Sequence, residues 1–294
     1  MLFGVELEFF LLEPNGFPAL GTAIDLVTIA SKRGLTAVPE LGSFQIELNP
    51  GPWPLTKAGR NAGLAQLRAE VATLGHLAKE RGLELSQAGF VSAISREMLE
   101  DVAFFTGLDR YLASSRYFRN NFACLALEDG STLEFPGETA VACINELHVH
   151  VQLQDDASTI RLFNKLNESG IALARTFLGT PRIDGKLFAQ GQSTMTLFEQ
   201  ANSEYDASGT VKRVGFLDRP IDSYQDYSAI VEGFAPIPTE RGYLSQESTV
   251  YFWVRLRGKP GTLRIEYRPP EMSEVWETTI LDFLAEVDEM RRLP

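Results

Sequence analysis

An α+β protein, built on a sheet that carries metal-competent side chains on one face, is what this sequence predicts, and three short segments predict it. In Gly4-Val5-Glu6-Leu7-Glu8-Phe9-Phe10, in Leu147-His148-Val149-His150-Val151 and in Arg264-Ile265-Glu266-Tyr267-Arg268, polar and apolar residues alternate with the period of a strand. Residues two apart on a strand point the same way, about 7 Å from each other. Each segment therefore sets its carboxylates, imidazoles or guanidiniums on one face and its apolar residues on the other. A sheet with such a concave face is the layout of an enzyme.

The elements between these strands follow in order. Residues 21 to 34 carry the helical spacing Ile24, Leu26, Val27, Ala30, and Arg33-Gly34 supplies a stop. A strand pair is expected near residues 35 to 49. Pro50-Gly51-Pro52 and Pro54 break the chain, after which Leu55-Thr56 opens a long helix to about Gly82, with Leu64, Leu67, Val71, Leu74 and Leu77 on its buried stripe. His76 lies beside that stripe and reads as structural. Residues 84 to 92 read as a strand, 100 to 118 as irregular or helical chain, and 121 to 136 as a hairpin turning at Glu128-Asp129-Gly130-Ser131. After the His148 strand, Asp155-Asp156 suits the start of a helix running from about Ala157 to Leu178. Residues 180 to 215, rich in Gly, Ser, Thr and Asp, read as a loop region over the site. A helix near 223 to 234, a strand pair within 248 to 268 and a last helix from Ser273 to Arg292 complete the chain.

Composition narrows the partners. At 294 residues the chain can bury roughly three quarters of its unfolded surface, so residues 1 to 294 are expected to form one domain without disulfide or structural zinc. With 39 acidic and 27 basic residues the formal charge is −12, which disfavours nucleic acid and anionic membranes. An anionic substrate needs local neutralisation by cations or clustered arginines. Cys124 and Cys143, the two cysteines, read as buried and reduced. No apolar run approaches the ~20 residues of a membrane span, and no basic region with an apolar run opens the chain, so a cytoplasmic protein is expected.

The chemistry rests on residue types. Carboxylates are hard oxygen ligands suited to Mg²⁺ and Mn²⁺, and a neutral imidazole can join them. Taken singly, Glu6 with Glu8, or His148 with His150, is equally compatible with a solvated strand face. A fourth segment, Pro39-Glu40-Leu41-Gly42-Ser43-Phe44-Gln45-Ile46-Glu47, adds two carboxylates flanking a glycine turn that can fold back onto one cation.

In order and nearly in spacing, these four motifs resemble the catalytic segments of the glutamine synthetase and glutamate-cysteine ligase superfamily, over residue 4 to about 270. The chain starts three residues before Gly4, so the small domain that precedes this strand in glutamine synthetases is expected to be missing. Leu173-Ala174-Arg175-Thr176 running into Thr180-Pro181-Arg182-Ile183-Asp184-Gly185, and Trp253-Val254-Arg255 leading to Gly261-Thr262-Leu263, are similar to the compact carboxylate-amine ligase branch. A loop that often reads Ser-x-Arg in that branch reads Ser193-Thr194-Met195-Thr196 here, and the C-terminus is shorter, departures that bear on the amino-acid substrates more than on ATP chemistry.

The resemblance implies a glutamine synthetase-like domain: a curved, mainly antiparallel sheet, the metal and ATP site on its concave face, helices outside. It implies ATP and Mg²⁺ or Mn²⁺, phosphorylation of a glutamate-type side-chain carboxylate, and capture by an amine such as cysteine to form a γ-glutamyl amide. It assigns Glu8, Glu40 and Glu47 to one cation and Glu6, His148 and Glu266 to the other. Arg264 and Arg268 are the expected catalytic grips on phosphate, while His150 is open to nucleotide phosphate or a neighbouring carboxylate. Arg116 and Tyr117 resemble the family's substrate-side Arg-Tyr segment, and are equally compatible with a surface helix end. A homodimer is compatible with these features. Two other readings stay open: a guanidino kinase-like phosphotransferase of the same superfold, whose phosphorylated product would persist, and a non-catalytic descendant that binds an amino acid or nucleotide.

Overall fold

The first strand, Leu2–Leu12, organises the protein because four other strands pair with it. A computed structural model describes residues 1–179, 181–202 and 204–292. Across the main sheet the order is Val254–Arg257, Arg264–Tyr267, Leu147–Gln152, Leu2–Leu12, Gln45–Leu48 and Ala37–Pro39, every neighbouring pair antiparallel. Two short strands, Trp53–Pro54 and Glu84–Ser86, also join the first.

The pleat sorts the chain as the alternation requires. Val5, Leu7, Phe9 and Leu11 enter the larger core with Ile46, Leu48, Val149, Val151, Ile265 and Tyr267. Helices close over this face: Ala23–Lys32, Lys57–Lys79, Asp156–Ala174 and Trp276–Met290 each contribute buried residues to the same cluster. Their ends are fixed by the expected signals. Thr56 accepts a hydrogen bond from the Gly59 amide and Asp155 from the Ser158 amide, satisfying first-turn donors, and Gly34 takes the positive φ that follows the Ala23–Lys32 helix.

On the opposite face Gly4, Glu6 and Glu8 give way to Phe10 and Leu12, which join a second core. That core is built from helix Asp109–Phe118, the hairpin Phe122–Ala126 with Thr132–Pro136, the short helix Gly137–Ala142 and helix Thr194–Ala201. The charged stretch of the sheet is thus bounded by apolar packing at one end.

Three expectations are corrected here. Within the expected loop of 180 to 215 stands the helix Thr194–Ala201: Ser193 and Thr196 form a reciprocal capping box, and Met195, Leu197, Phe198 and Ala201 are buried. The polar composition around it hid that apolar stripe. The strand expected over 84 to 92 is only Glu84–Ser86, since Phe90 and Val91 turn into the second core. Cys143 is buried, but Cys124 lies on the exposed face of the hairpin. Thr180, part of the segment compared above, lies outside the described residues.

Candidate active site

Antiparallel register places the polar residues of neighbouring strands side by side. Glu8 stands opposite Glu47, Glu6 opposite His148, His150 opposite Glu266, and Glu266 opposite Arg255. Directly paired residues have Cβ atoms ~5 Å apart, so the row forms one continuous charged surface. Above it opens a cavity of about 460 Å³, lined by Glu8, Glu40, Glu47 and Arg110 on one side, by Glu146, His148, Arg255, Arg257, Glu266 and Arg268 on the other, and by Glu6 between them. Its volume is in the range of small-molecule sites.

The carboxylates of the first side are crowded. Ligand atoms of Glu8, Glu40 and Glu47 lie within 4.8 Å of one another, and so do those of Glu6, Glu47 and His148. Burial raises the pKa of Glu8 to about 8, against attraction from His148 and with repulsion from Glu40 and Glu146. Glu47 is pushed well above the usual range by burial and by Glu6, Glu40 and Glu8, and Glu40 is raised by burial despite Arg110 and His148. The Oδ1 atom of Asn49, whose amide donates to Glu47 at 3.0 Å, is buried in the same cavity without a partner. Crowded carboxylates, an imidazole and an unmatched carbonyl oxygen make a donor set that fits hard divalent cations.

The other side is neutralised from within. His148 places Nδ1 2.8 Å from Glu6 Oε2 and Nε2 2.8 Å from Glu146 Oε2. Burial and Arg268 push the imidazole pKa down, but Glu146 and Glu6 outweigh them and bring it to about 10. Burial pushes Glu6 up, and His148 and His150 still hold it far below the usual carboxylate range. Arg268 donates from Nη1 to Glu266 Oε1 and from Nη2 to Glu146 Oε2, each at 2.8 Å, while its buried Nε has no partner.

Of the residues singled out in the sequence, Glu6, Glu8, Glu40, Glu47, His148, Glu266 and Arg268 meet in this cavity. Glu266 does not stand in either metal-competent group. Its Oε1 also faces Arg255 Nη1 at 3.5 Å and its Oε2 faces Arg257 Nε at 3.2 Å, so three guanidiniums surround it; burial pushes its carboxyl up, but Arg255, Arg268 and His150 hold it below the usual range, and Glu47 takes its place beside Glu6 and His148. Arg264 and His150 line an adjoining hollow of about 340 Å³ that shares Glu6 and Asn49 with the cavity. There His150 Nε2 lies 3.0 Å from Glu6 Oε1, outside hydrogen-bond geometry.

Arg116 and Tyr117 are placed elsewhere. Arg116 is more than half exposed and faces Glu240 at 3.5 Å, and the Tyr117 hydroxyl bonds to Glu204 and Asn202. The cavity instead receives Arg110 and Tyr111: Arg110 donates to the Tyr111 hydroxyl, which lies 3.4 Å from Glu40 Oε1. Both pairs sit on helix Asp109–Phe118. Six residues along a helix turn the side chain by ~240°, so only one Arg-Tyr pair can face the sheet. Glu146 and Arg257 had sequence signals that went unread: Glu146 continues the alternation of His148 and His150 backwards, and Arg257 that of Arg255 forwards.

The family model of glutamate-cysteine ligase family 2 matches residues 2–274. By class, then, the chain falls in a ligase family. In particular, it belongs to glutamate-cysteine ligase family 2. Among solved structures, a bifunctional glutathione synthetase from Pasteurella multocida is similar over 99% of this chain and 40% of its own, at 16% identity and a TM-score of 0.49, so the chain spans less than half of that protein's length. No curated protein matches the sequence.

Proposed function

We propose that this protein is an ATP-dependent carboxylate-amine ligase that acts as one glutamine synthetase-like catalytic unit over residues 1 to 294. ATP transfers its γ-phosphoryl group to the side-chain carboxylate of a glutamate-type amino acid, ADP leaves, and an amine such as cysteine attacks the acyl carbon. Phosphate departs with the broken C–O bond, the amine loses a proton, and a γ-glutamyl amide remains. The observation that carries this reading is the juxtaposition of crowded, partly protonated carboxylates with Arg110, Arg255, Arg257 and Arg268 in one cavity.

Glu8, Glu40 and Glu47 are suited to hold one Mg²⁺ or Mn²⁺, and Glu6, Glu47 and His148 a second. Bound there, the cations supply charge neutralisation where two anions must meet. The protein's own groups do the rest. Arg268, anchored through both terminal nitrogens, keeps its Nε–H available to an incoming oxygen. Arg264 and His150 in the adjoining hollow are available to the remainder of the nucleotide. The substrate-side role that the resemblance gives to Arg116 and Tyr117 passes to Arg110 and Tyr111.

The test is ADP release with Mg²⁺, ATP and glutamate against a panel of amines, with mass spectrometry of the products. An amide with one ADP and one phosphate per turnover is expected. A stable phosphorylated acceptor, or no ADP with any amine, overturns the reading.

A further inference from the structure

One buried carboxylate has no part in the chemistry above. Glu146 is 6% exposed and directly precedes the His148 strand. Its Oε2 lies 2.8 Å from His148 Nε2 and accepts from Arg268 Nη2 at 2.8 Å, while its main-chain N–H donates to Glu8 Oε2 at 2.8 Å. No other residue on the cavity wall bonds at once to a group of each cation site and to the guanidinium beside them, among the described residues.

We propose that Glu146 is a positioning residue for the ligation: it fixes which nitrogen of His148 faces the cation site and, through the same oxygen, sets the plane of Arg268. This inference rests on the ligase reading of the cavity. An imidazole ring has two nitrogens, and the partner of one decides which is left for a cation. Both ring nitrogens face carboxylate oxygens, which only accept, so without a cation each carries a proton; a cation beside Glu6 would take the place of the proton on Nδ1, while the proton on Nε2 would stay toward Glu146. Nδ1 is then the nitrogen turned to Glu6, 2.8 Å away, in the group that Glu6 and His148 form with Glu47. A ring turned over would present carbon where Nδ1 stands. On its other flank, Glu146 with Glu266 holds both terminal nitrogens of Arg268, and a planar guanidinium pinned at two points can direct its Nε–H one way only.

A merely structural ion pair would affect stability alone, so the test reads metal affinity and tautomer. Mn²⁺ binding to the full chain is measured by electron paramagnetic resonance without ATP, for the parent and for Glu146→Gln. The amide keeps the shape but loses the negative charge that holds the imidazole and the guanidinium through one oxygen. The variant is expected to bind Mn²⁺ about 10- to 100-fold more weakly, the scale set by loss of a carboxylate behind a ligating histidine. Independently, nitrogen NMR of the ¹⁵N-histidine parent with Mg²⁺ is simple because the chain has only 3 histidines. His148 is expected to be protonated at Nε2 and unprotonated at Nδ1. Parent-like Mn²⁺ affinity in Glu146→Gln, or a proton on Nδ1 instead of Nε2, overturns the proposal. The NMR result decides alone should the variant fail to fold. A parent that binds no Mn²⁺ at all strikes the ligase reading itself.

Discussion

The two sides of the cavity treat charge in opposite ways. Around Glu8, Glu40 and Glu47, burial and mutual repulsion raise the carboxyl pKa values, and Arg110 is the facing guanidinium. A strand away, Glu146 and Glu266 are equally buried, yet both are held below the usual range, because Arg268, Arg255 and His148 outweigh the cost of burial. The protein supplies its own cations on one side and leaves the other unbalanced. Unbalanced buried charge is expensive, and this cost supports the proposal that cations bind on that side. The three residues that the resemblance assigns to one cation, Glu8, Glu40 and Glu47, crowd together on the unbalanced side, whereas Glu266 stands among guanidiniums on the balanced one.

The contrast is broken most severely at Glu47, the carboxylate common to both metal-competent groups. Glu47→Gln is expected to lower turnover by at least about a hundredfold, the scale of losing a charge-stabilising element. In chelator at pH 8 its melting temperature should match or exceed the parent's, since a repelling charge is gone. Steady-state rates with a thermal scan check both, and near-normal turnover would return Glu47 to a structural role.

Next comes Arg268→Lys on the balanced side. An ammonium cannot span Glu146 and Glu266 as the fork does, so turnover should fall about ten- to a hundredfold. Because Arg268 is buried, a lower melting temperature is expected as well. Unchanged kinetics would remove it from the chemistry.

pH sharpens the comparison without mutation. Between the ordinary carboxyl value of 4.5 and the raised value of about 8, the folded protein holds a proton on Glu8 that the unfolded chain has lost. Stability contributed there declines as pH rises through that window. His148 acts in the same direction: its stabilisation is full below 6.5 and is lost as pH rises through about 10. Denaturant midpoints in chelator should therefore fall from pH 5 to pH 9, and saturating Mg²⁺ should flatten the decline. A metal-free midpoint that rises over this range contradicts the picture.

Arg116→Ala is expected to have the smallest effect. Its exposed pair with Glu240 contributes little, so kcat and KM should stay within about twofold. A large loss of activity would restore the sequence-based role of Arg116.

Period-two alternation made the first, His148 and Arg264 strands legible, and with them one face of the site. Capping residues Thr56 and Asp155 marked two helix starts for equally local reasons. What escaped was decided by distant contacts. Arg110-Tyr111 and Arg116-Tyr117 are the same dipeptide, and only packing of their helix on the second core selects between them. Glu266 has the residue type and parity of a ligand, but three arginines from two strands claim it. Helix Thr194–Ala201 was masked by its Gly-, Ser- and Thr-rich neighbourhood, because composition averages over a stripe that periodicity would have resolved.

The pairing of Glu8 with Glu47 and of Glu6 with His148 makes strand length itself a heritable constraint. Inserting or deleting one residue within Leu2–Leu12 would reverse every side chain beyond it, turning Leu7 toward solvent and a carboxylate into the helices. Divergent copies of this gene are free to lengthen turns, exchange loop residues and repaint the surface. Within these strands they can change by substitution, or by steps of two, but not by one.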